Sequence, residues 1–256
     1  MIAISEPPNF LKLLAHDLRW QLLTALAYSD RRVQELVQLL DRPQNLVSYH
    51  LGRLRQQELV SERRSTADGR DVYYSLNLAR MRQLYLASGQ ALHPALNGAA
   101  MPLETLEEAP VVEPVRVLFL CTHNSARSQM AEGILRAAGG DRVEVFSAGN
   151  EPSEVHPLAI EAMAAINIDI SRQHSKHMGE FTGQHFDYII TVCDRVRESC
   201  PIFPGDPEQI HWSFPDPAAV MGTERQRYQA FVQTARELTT RIHYLLMVID
   251  RQNRGG

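Results

Sequence analysis

The stretch VRVLFLCTHNSARSQMAEGILRAAG, residues 115–139, constrains the fold of this chain more than any other. A largely apolar run ends at Cys121, a short polar loop follows, and apolar residues then recur at helical spacing. The order is strand, tight loop, helix. Downstream, VEVFSAG (143–149) and FDYIITVC (186–193) read as further strands. HPLAIEAMAAI (156–166) and ERQRYQAFVQTARELTTRIHYLLMVI (224–249) read as helices. Strands alternating with helices predict a parallel sheet flanked by helices.

At 256 residues the chain has room for two small domains or one large one. Its hydrophobic content, 44 %, is ample for real cores and argues against global disorder. No apolar run is long enough for a membrane span, and the N-terminus lacks the basic start and apolar block of a secretory signal. Three cysteines, an odd number, argue against a secreted disulfide scaffold. The expectation is a cytoplasmic protein with no membrane partner. The net charge of -4 hides an asymmetry. Residues 1–96 hold 12 Lys plus Arg against 9 Asp plus Glu, whereas residues 97–256 hold 14 against 21. The modest positive balance of the first part suits contact with nucleic acid.

That first part has its own pattern. NFLKLLAHDLRWQLLTALA (9–27) shows helical spacing. Asp30 is expected to cap a second helix over RRVQELVQLL, which ends before Pro43. QNLVSYHLGRLRQQELV (44–60) follows, with Leu46, Tyr49, Leu51 and Leu54 expected on its buried side. Ser48, His50, Arg53 and Arg55 are the candidates for its outer face. VSERRSTADGRDVYYSL (60–76) reads as strand, turn, strand, turning at Asp68-Gly69, and a further helix is expected from about Leu78 to His93. Three helices and a basic hairpin are the order of a winged helix-turn-helix. Its third helix fits a major groove, and Arg63, Arg64 and Arg70 of the hairpin would reach adjacent phosphates. An ordinary helical domain with basic solvent-facing residues is the competing reading.

SYHLGRLRQQELV and ERRSTADGRDVYYSLN resemble the recognition helix and wing of the small metal-responsive winged-helix repressors of bacteria, the ArsR-type arsenic sensors. The resemblance covers about residues 8–95. It implies a homodimer paired through the terminal helices of this N-terminal domain and bound to palindromic double-stranded operator DNA. The chain departs from the family's arsenic sensors, which carry cysteines at or near the recognition helix: it has none before Cys121. His16, His50 and His93 could be ligands in principle, but their spacing makes no compact site.

NGAAMPLETLEEAPVVEP (97–114) is dominated by Pro, Ala and Glu without a period. It reads as a semi-rigid linker or as an irregular surface connection. The expected boundaries are 1–96 for the winged helix, 97–114 for the linker and 115–256 for the second domain.

The loop at Cys121 has its own chemistry. A strand-to-helix loop points backbone N–H groups at whatever lies above it. Arg127 adds an always-charged planar fork suited to two oxyanion oxygens. Cys121, beside the same dipoles, is expected to have a lowered thiol pKa and to act as a nucleophile. Ser128 can donate a hydrogen bond to the sulfur, and Asn124 can brace the loop, with Ser125 between them. Cys121, Asn124, Ser125, Arg127 and Ser128 thus form the candidate oxyanion site, one that also admits phosphate or sulfate as analogues.

CTHNSARSQMAEG is very similar to the active-site loop of low-molecular-weight tyrosine phosphatases, and closer still to that of thioredoxin-coupled arsenate reductases. FSAG (146–149) resembles a segment of both, and the likeness covers about residues 115–250. It implies a doubly wound four-stranded parallel sheet. Cys193 and Cys200, seven positions apart in VCDRVRESCPIFPG, favour the reductases, because a simple phosphatase needs no further thiols. The reductase resemblance implies a relay. Cys121 attacks arsenate, Cys193 attacks Cys121 and releases arsenite, Cys200 takes over the disulfide, and thioredoxin reduces it. Two small buried hydrophobes are the plain alternative for Cys193 and Cys200. Asp216, in HWSFPDPA, resembles the general acid of the phosphatases. Ala126 stands where some relatives have another cysteine, and His123 where glycine is commoner.

His174 and His177 are the only close histidine pair in this part, with no third ligand at convincing spacing, so no metal is expected. Relatives bind a cation such as potassium, but no motif here fixes such a site. No tightly bound cofactor is implied; thioredoxin is the expected electron donor. The leading expectation is a DNA-binding repressor fused to an arsenate reductase. Two others stand beside it: an arsenic- or redox-sensing regulator with little turnover, and a regulator fused to a protein-tyrosine phosphatase.

Overall fold

The computed structural model describes residues 6–93, 113–198 and 202–255, which fall into two compact units. In the first, α1 (Asn9–Leu14), α2 (Asp17–Ala25), α3 (Val33–Leu40), α4 (Gln44–Gln56) and α5 (Leu78–Leu92) surround a small sheet. Its strands are β1 (Arg31–Arg32), β2 (Val60–Arg64) and β3 (Val72–Leu76), in the antiparallel order β1-β3-β2. This is a winged helix-turn-helix, with β2 and β3 as the wing. Leu22, Leu36, Val47, Leu51, Leu54 and Leu59 form the centre of its core, each essentially inaccessible.

Several local expectations change. The first helical stretch is two helices, because His16 is extended and Asp17 opens a new helix with its charge at the positive end. Arg31 and Arg32 pair with Tyr74 and Tyr73 as a strand instead of starting α3. On α4 the buried face is Val47, His50, Leu51 and Leu54, while Leu46 and Tyr49 are exposed. The face that keeps Leu51 and Leu54 inward at helical spacing takes 47 and 50 with it. His50 is therefore not on the outer face; Ser48, Arg53 and Arg55 are.

The second unit contains β4 (Val115–Cys121), α6 (Arg127–Gly139), β5 (Val143–Gly149), α7 (Pro157–Ala164), β6 (Tyr188–Thr191), α8 (Asp194–Glu198), β7 (Glu208–His211) and α9 (Glu224–Gly255). Its four strands are parallel, in the order β5-β4-β6-β7. Val117 to Leu120 are wholly buried, as a central strand covered on both faces requires. The chain leaves β4 toward β5 on one side and later returns to β6 on the other. The carboxyl end of β4 is thus the switch point of the sheet, where a crevice opens.

The linker reading falls mostly on residues 94–112, which lie outside the described residues, as does Cys200. Among the described residues, no helix is long and apolar enough to cross a membrane.

Candidate active site

Cys121 ends β4 at the switch point, and α6 begins at Arg127. The loop between them is tied down from outside. The carbonyls of Thr122, His123 and Ser125 accept from the amides of Glu151, Ser153 and His156, at 2.9, 3.0 and 2.9 Å. The Asn124 carbonyl accepts from the Ser175 hydroxyl at 2.7 Å. In a trans peptide the N–H points opposite to the C=O. Turning these carbonyls outward therefore turns the amides of residues 123–126 inward. One of them is already engaged, since the Asn124 amide donates to Cys121 Sγ at 3.1 Å. The α6 N-terminus adds its own amides, with no side-chain cap on them.

Asn124 holds this shape. Its φ of 45° lies in the left-handed region that Asn tolerates better than most residues. Its Nδ2 donates to Ser128 Oγ and Ser147 Oγ at 2.9 and 2.8 Å. Its Oδ1 accepts from Gln129 Nε2 at 2.9 Å and from the Lys176 amide at 2.8 Å. Ser128 Oγ lies 2.8 Å from Cys121 Sγ. Since that hydroxyl accepts from Asn124, its proton is available to a thiolate. Ser147 continues the network to the buried carboxylate of Glu132, which is ion-paired with Arg136 and with Lys176.

Arg127 is nearly buried. Nη1 donates to the Phe214 carbonyl at 3.0 Å and Nη2 lies 3.3 Å from Asp216 Oδ2. Asp216 also accepts from the Ala218 amide at 3.2 Å, which fixes its carboxylate at the turn. Cys193 follows β6 and is buried, with its Sγ 3.3 Å from Thr122 Oγ1, the residue after Cys121. The sequence candidates Cys121, Asn124, Arg127, Ser128, Cys193 and Asp216 thus converge on one crevice. Ser125 takes part through its backbone, because its hydroxyl donates outward to the Glu154 carbonyl at 2.7 Å. His123 is half-exposed, and its Nδ1 lies 3.1 Å from the Glu151 carbonyl, an acceptor only, so this nitrogen carries the proton. It fastens the loop to the strap at 149–156.

One expectation is corrected. Burial pushes the Cys121 thiol above its ordinary value, and Cys193 adds to this; the Arg127 charge and the Ser128 hydrogen bond pull it down without prevailing. Desolvation of the thiolate outweighs the loop.

The sequence reading missed Gly149, Gln129, Glu132 and Ser147. A Cβ on Gly149 would lie 2.5 Å from the Thr122 carbonyl oxygen and 2.9 Å from the Asn124 nitrogen, so the strap approaches the loop only at a glycine. Gln129 and Glu132 carried a faint signal, as polar residues on the stripe of α6 that faces inward. Among the described residues, no group of three or more His, Cys, Asp or Glu is arranged to hold a metal.

The candidate DNA-facing residues belong to the first unit. Ser48, Arg53, Arg55, Arg64 and Arg70 are exposed and Arg63 is half-buried; Arg55 is ion-paired with Glu62 of the wing. His50 and His16, distant in sequence, are in ring contact at 4.4 Å.

Comparison with known proteins bears on both units. A family model described as low molecular weight phosphotyrosine protein phosphatase matches residues 116–254, and one described as bacterial regulatory protein, arsR family, matches residues 16–62. An arsenate reductase of Halalkalibacterium halodurans is 41 % identical over 126 residues, 49 % of this chain and 91 % of that protein. An arsenate reductase of Bacillus subtilis is 38 % identical over the same shares. Among solved structures, a thioredoxin-dependent arsenate reductase of Corynebacterium glutamicum is 29 % identical, covering 68 % of this chain and 72 % of that one, with a TM-score of 0.43.

Proposed function

The chain belongs to the low molecular weight phosphotyrosine protein phosphatase family, with an N-terminal arsR-family domain, and from that premise we propose that it is an operator-binding repressor fused to a thioredoxin-coupled arsenate reductase. The observation that carries the reductase reading is the placement of a second buried thiol, Cys193, against Thr122 of the Cys121 loop. Ester hydrolysis needs one thiol; reducing As(V) needs two electrons, and two thiols supply them.

In this reading the inward amides and Arg127 bind the arsenate oxygens. Cys121 Sγ attacks arsenic. One arsenate hydroxyl leaves as water with a proton from Asp216, and the Cys121 proton replaces the one Asp216 gave up. Cys193 then attacks Cys121 Sγ. The S–S bond forms, the S–As bond breaks, and its electron pair leaves with arsenic as arsenite. Cys200 next displaces Cys121 from Cys193. Thioredoxin reduces the Cys193–Cys200 disulfide by exchange.

For the N-terminal domain, the exposed face of α4 and the wing arginines support DNA contact. Exposed Leu11 on α1 and Tyr85 and Leu92 on α5 support pairing through the terminal helices.

The deciding assay couples arsenate to NADPH oxidation through thioredoxin and thioredoxin reductase. Turnover that Cys193→Ser abolishes supports the proposal. Rapid aryl-phosphate hydrolysis that survives Cys193→Ser, with no arsenate turnover, would replace it with the phosphatase reading. No turnover, with operator binding lost on adding arsenite, would make the chain a sensor.

A further inference from the structure

Asp194, the residue directly after Cys193, is wholly buried, and the mechanism above gives it no role. A buried carboxylate carries a desolvation penalty that only well-placed donors offset. Here Ser213 Oγ donates to Oδ1 at 2.7 Å, and His211 Nε2 lies 3.2 Å from the same oxygen. The other nitrogen of that ring, Nδ1, lies 2.8 Å from Thr191 Oγ1. His211, itself buried at the end of β7, therefore ties together Thr191 and Asp194, which bracket Cys193 in the chain. Ser213 is also the neighbour of Phe214, whose carbonyl holds Arg127. The segment 211–216 thus anchors the oxyanion clamp at one end and the Cys193 turn at the other.

We infer that Asp194, anchored by His211 and Ser213, is a positioning residue that holds Cys193 in line for attack on Cys121. The inference rests on the arsenate reductase reading. The step it serves is balanced: the Cys193–Cys121 bond forms, the S–As bond breaks, arsenic keeps the electron pair and goes from As(V) to As(III), and the Cys193 proton goes to an oxygen of the leaving arsenite. The Asp194 carboxylate, held by Ser213 and His211, takes no part in these bond changes. It acts by fixing the path of the main chain at the attacking sulfur.

The test uses the reduced full-length chain, with arsenate and no thioredoxin, so that each protein releases arsenite once. Asp194→Ala should slow that release at least about tenfold, since misplacing a reacting group by an ångström costs on the order of a hundredfold. Phosphate affinity, read by calorimetry, depends on Cys121 and Arg127 and should stay within about twofold, as for contacts outside the binding site. Asp194→Asn keeps an acceptor for Ser213 and His211 and should retain most of the rate. With phosphate shielding Cys121, iodoacetamide should label Cys193 faster in Asp194→Ala than in the unaltered chain. If Asp194→Ala fails to fold, Ser213→Ala removes one anchor and should show the same selective loss. A normal release rate in these variants overturns the inference, as does an equal loss of phosphate affinity. If Cys193→Ser also releases arsenite normally, the relay itself is wrong. If Cys193→Ser stops release while Asp194→Ala and Ser213→Ala do not, only the positioning role fails.

Discussion

Replacing Gly149 by alanine tests how the oxyanion loop is built. The added Cβ would stand 2.5 Å from the Thr122 carbonyl oxygen, 2.9 Å from the Cys121 carbonyl oxygen and 2.9 Å from the Asn124 nitrogen. All three are main-chain atoms, so no side chain can swing aside. Gly149 does not have a positive φ, so the effect is steric and not conformational. Ordinary carbon contacts lie near 3.5 Å, so the strap and loop must separate by roughly 0.5–1 Å. The first bonds to stretch are those from Glu151 and Ser153 to the Thr122 and His123 carbonyls, the bonds that turn amides inward. Overpacking of this kind costs about 1–3 kcal/mol of stability. Displacing the cradle should lower arsenate turnover by on the order of a hundredfold, a larger effect than the stability loss alone would give. Phosphate calorimetry, a thermal melt and the NADPH-coupled assay read the three quantities. Unchanged phosphate affinity in a folded Gly149→Ala protein would refute the claim that the strap shapes the site.

Other consequences follow from single residues. Arg127→Lys keeps the charge but loses the fork that holds the Phe214 carbonyl and Asp216 together, so phosphate affinity should fall by about tenfold or more in calorimetry. Because the native Cys121 thiol is raised, it keeps its proton at pH values where the unfolded chain has released it. Stability should therefore decline as pH rises above the ordinary thiol range, and Cys121→Ser should flatten that decline in urea titrations. His50 is shifted the other way, by burial and then by His16 and Arg19, so it stays neutral where the unfolded chain is protonated. The first unit should lose stability as pH falls below the ordinary histidine range, and His50→Phe should remove that slope in circular dichroism melts.

The parts of the fold legible in the sequence were those with a long period or a sharp boundary. VRVLFLC was readable because a central parallel strand is apolar on both faces. The strand at Glu208–His211 was not read as one, because it is short and carries only Ile210 as an apolar residue. The face of α4 is ambiguous in the sequence because Leu46 and Tyr49 look like core residues, while the core accepts His50 beside Leu51. At the site, Cys121, Arg127 and Ser128 share one motif and could be read together. Gly149, Ser147, Lys176 and Phe214 come from three other segments and meet the loop only through the sheet. Their contributions are a missing Cβ, a hydroxyl, an amide and a carbonyl, none of which marks a sequence. The direction of the Cys121 shift is hidden from the sequence for a related reason. Motif reading counts the charges near a thiol but not the water removed from it.

The distribution of thiols makes a last prediction about how the two domains work in one chain. Arsenite is thiophilic, and no cysteine precedes Cys121, so residues 1–120 offer it no thiol. The His16–His50 contact offers nitrogen alone, a poor match for so soft a centre. Any response of operator binding to arsenite must therefore pass through Cys121, Cys193 and Cys200, the same thiols that the proposed relay uses. In an electrophoretic mobility shift with the full-length chain, arsenite that releases operator DNA from the unaltered protein should leave the complex of a Cys121→Ser, Cys193→Ser, Cys200→Ser protein intact. Arsenate with thioredoxin should act on the unaltered protein only as fast as it is turned into arsenite. Release of DNA from the triple variant by arsenite would place the sensor in the N-terminal domain and separate the two activities.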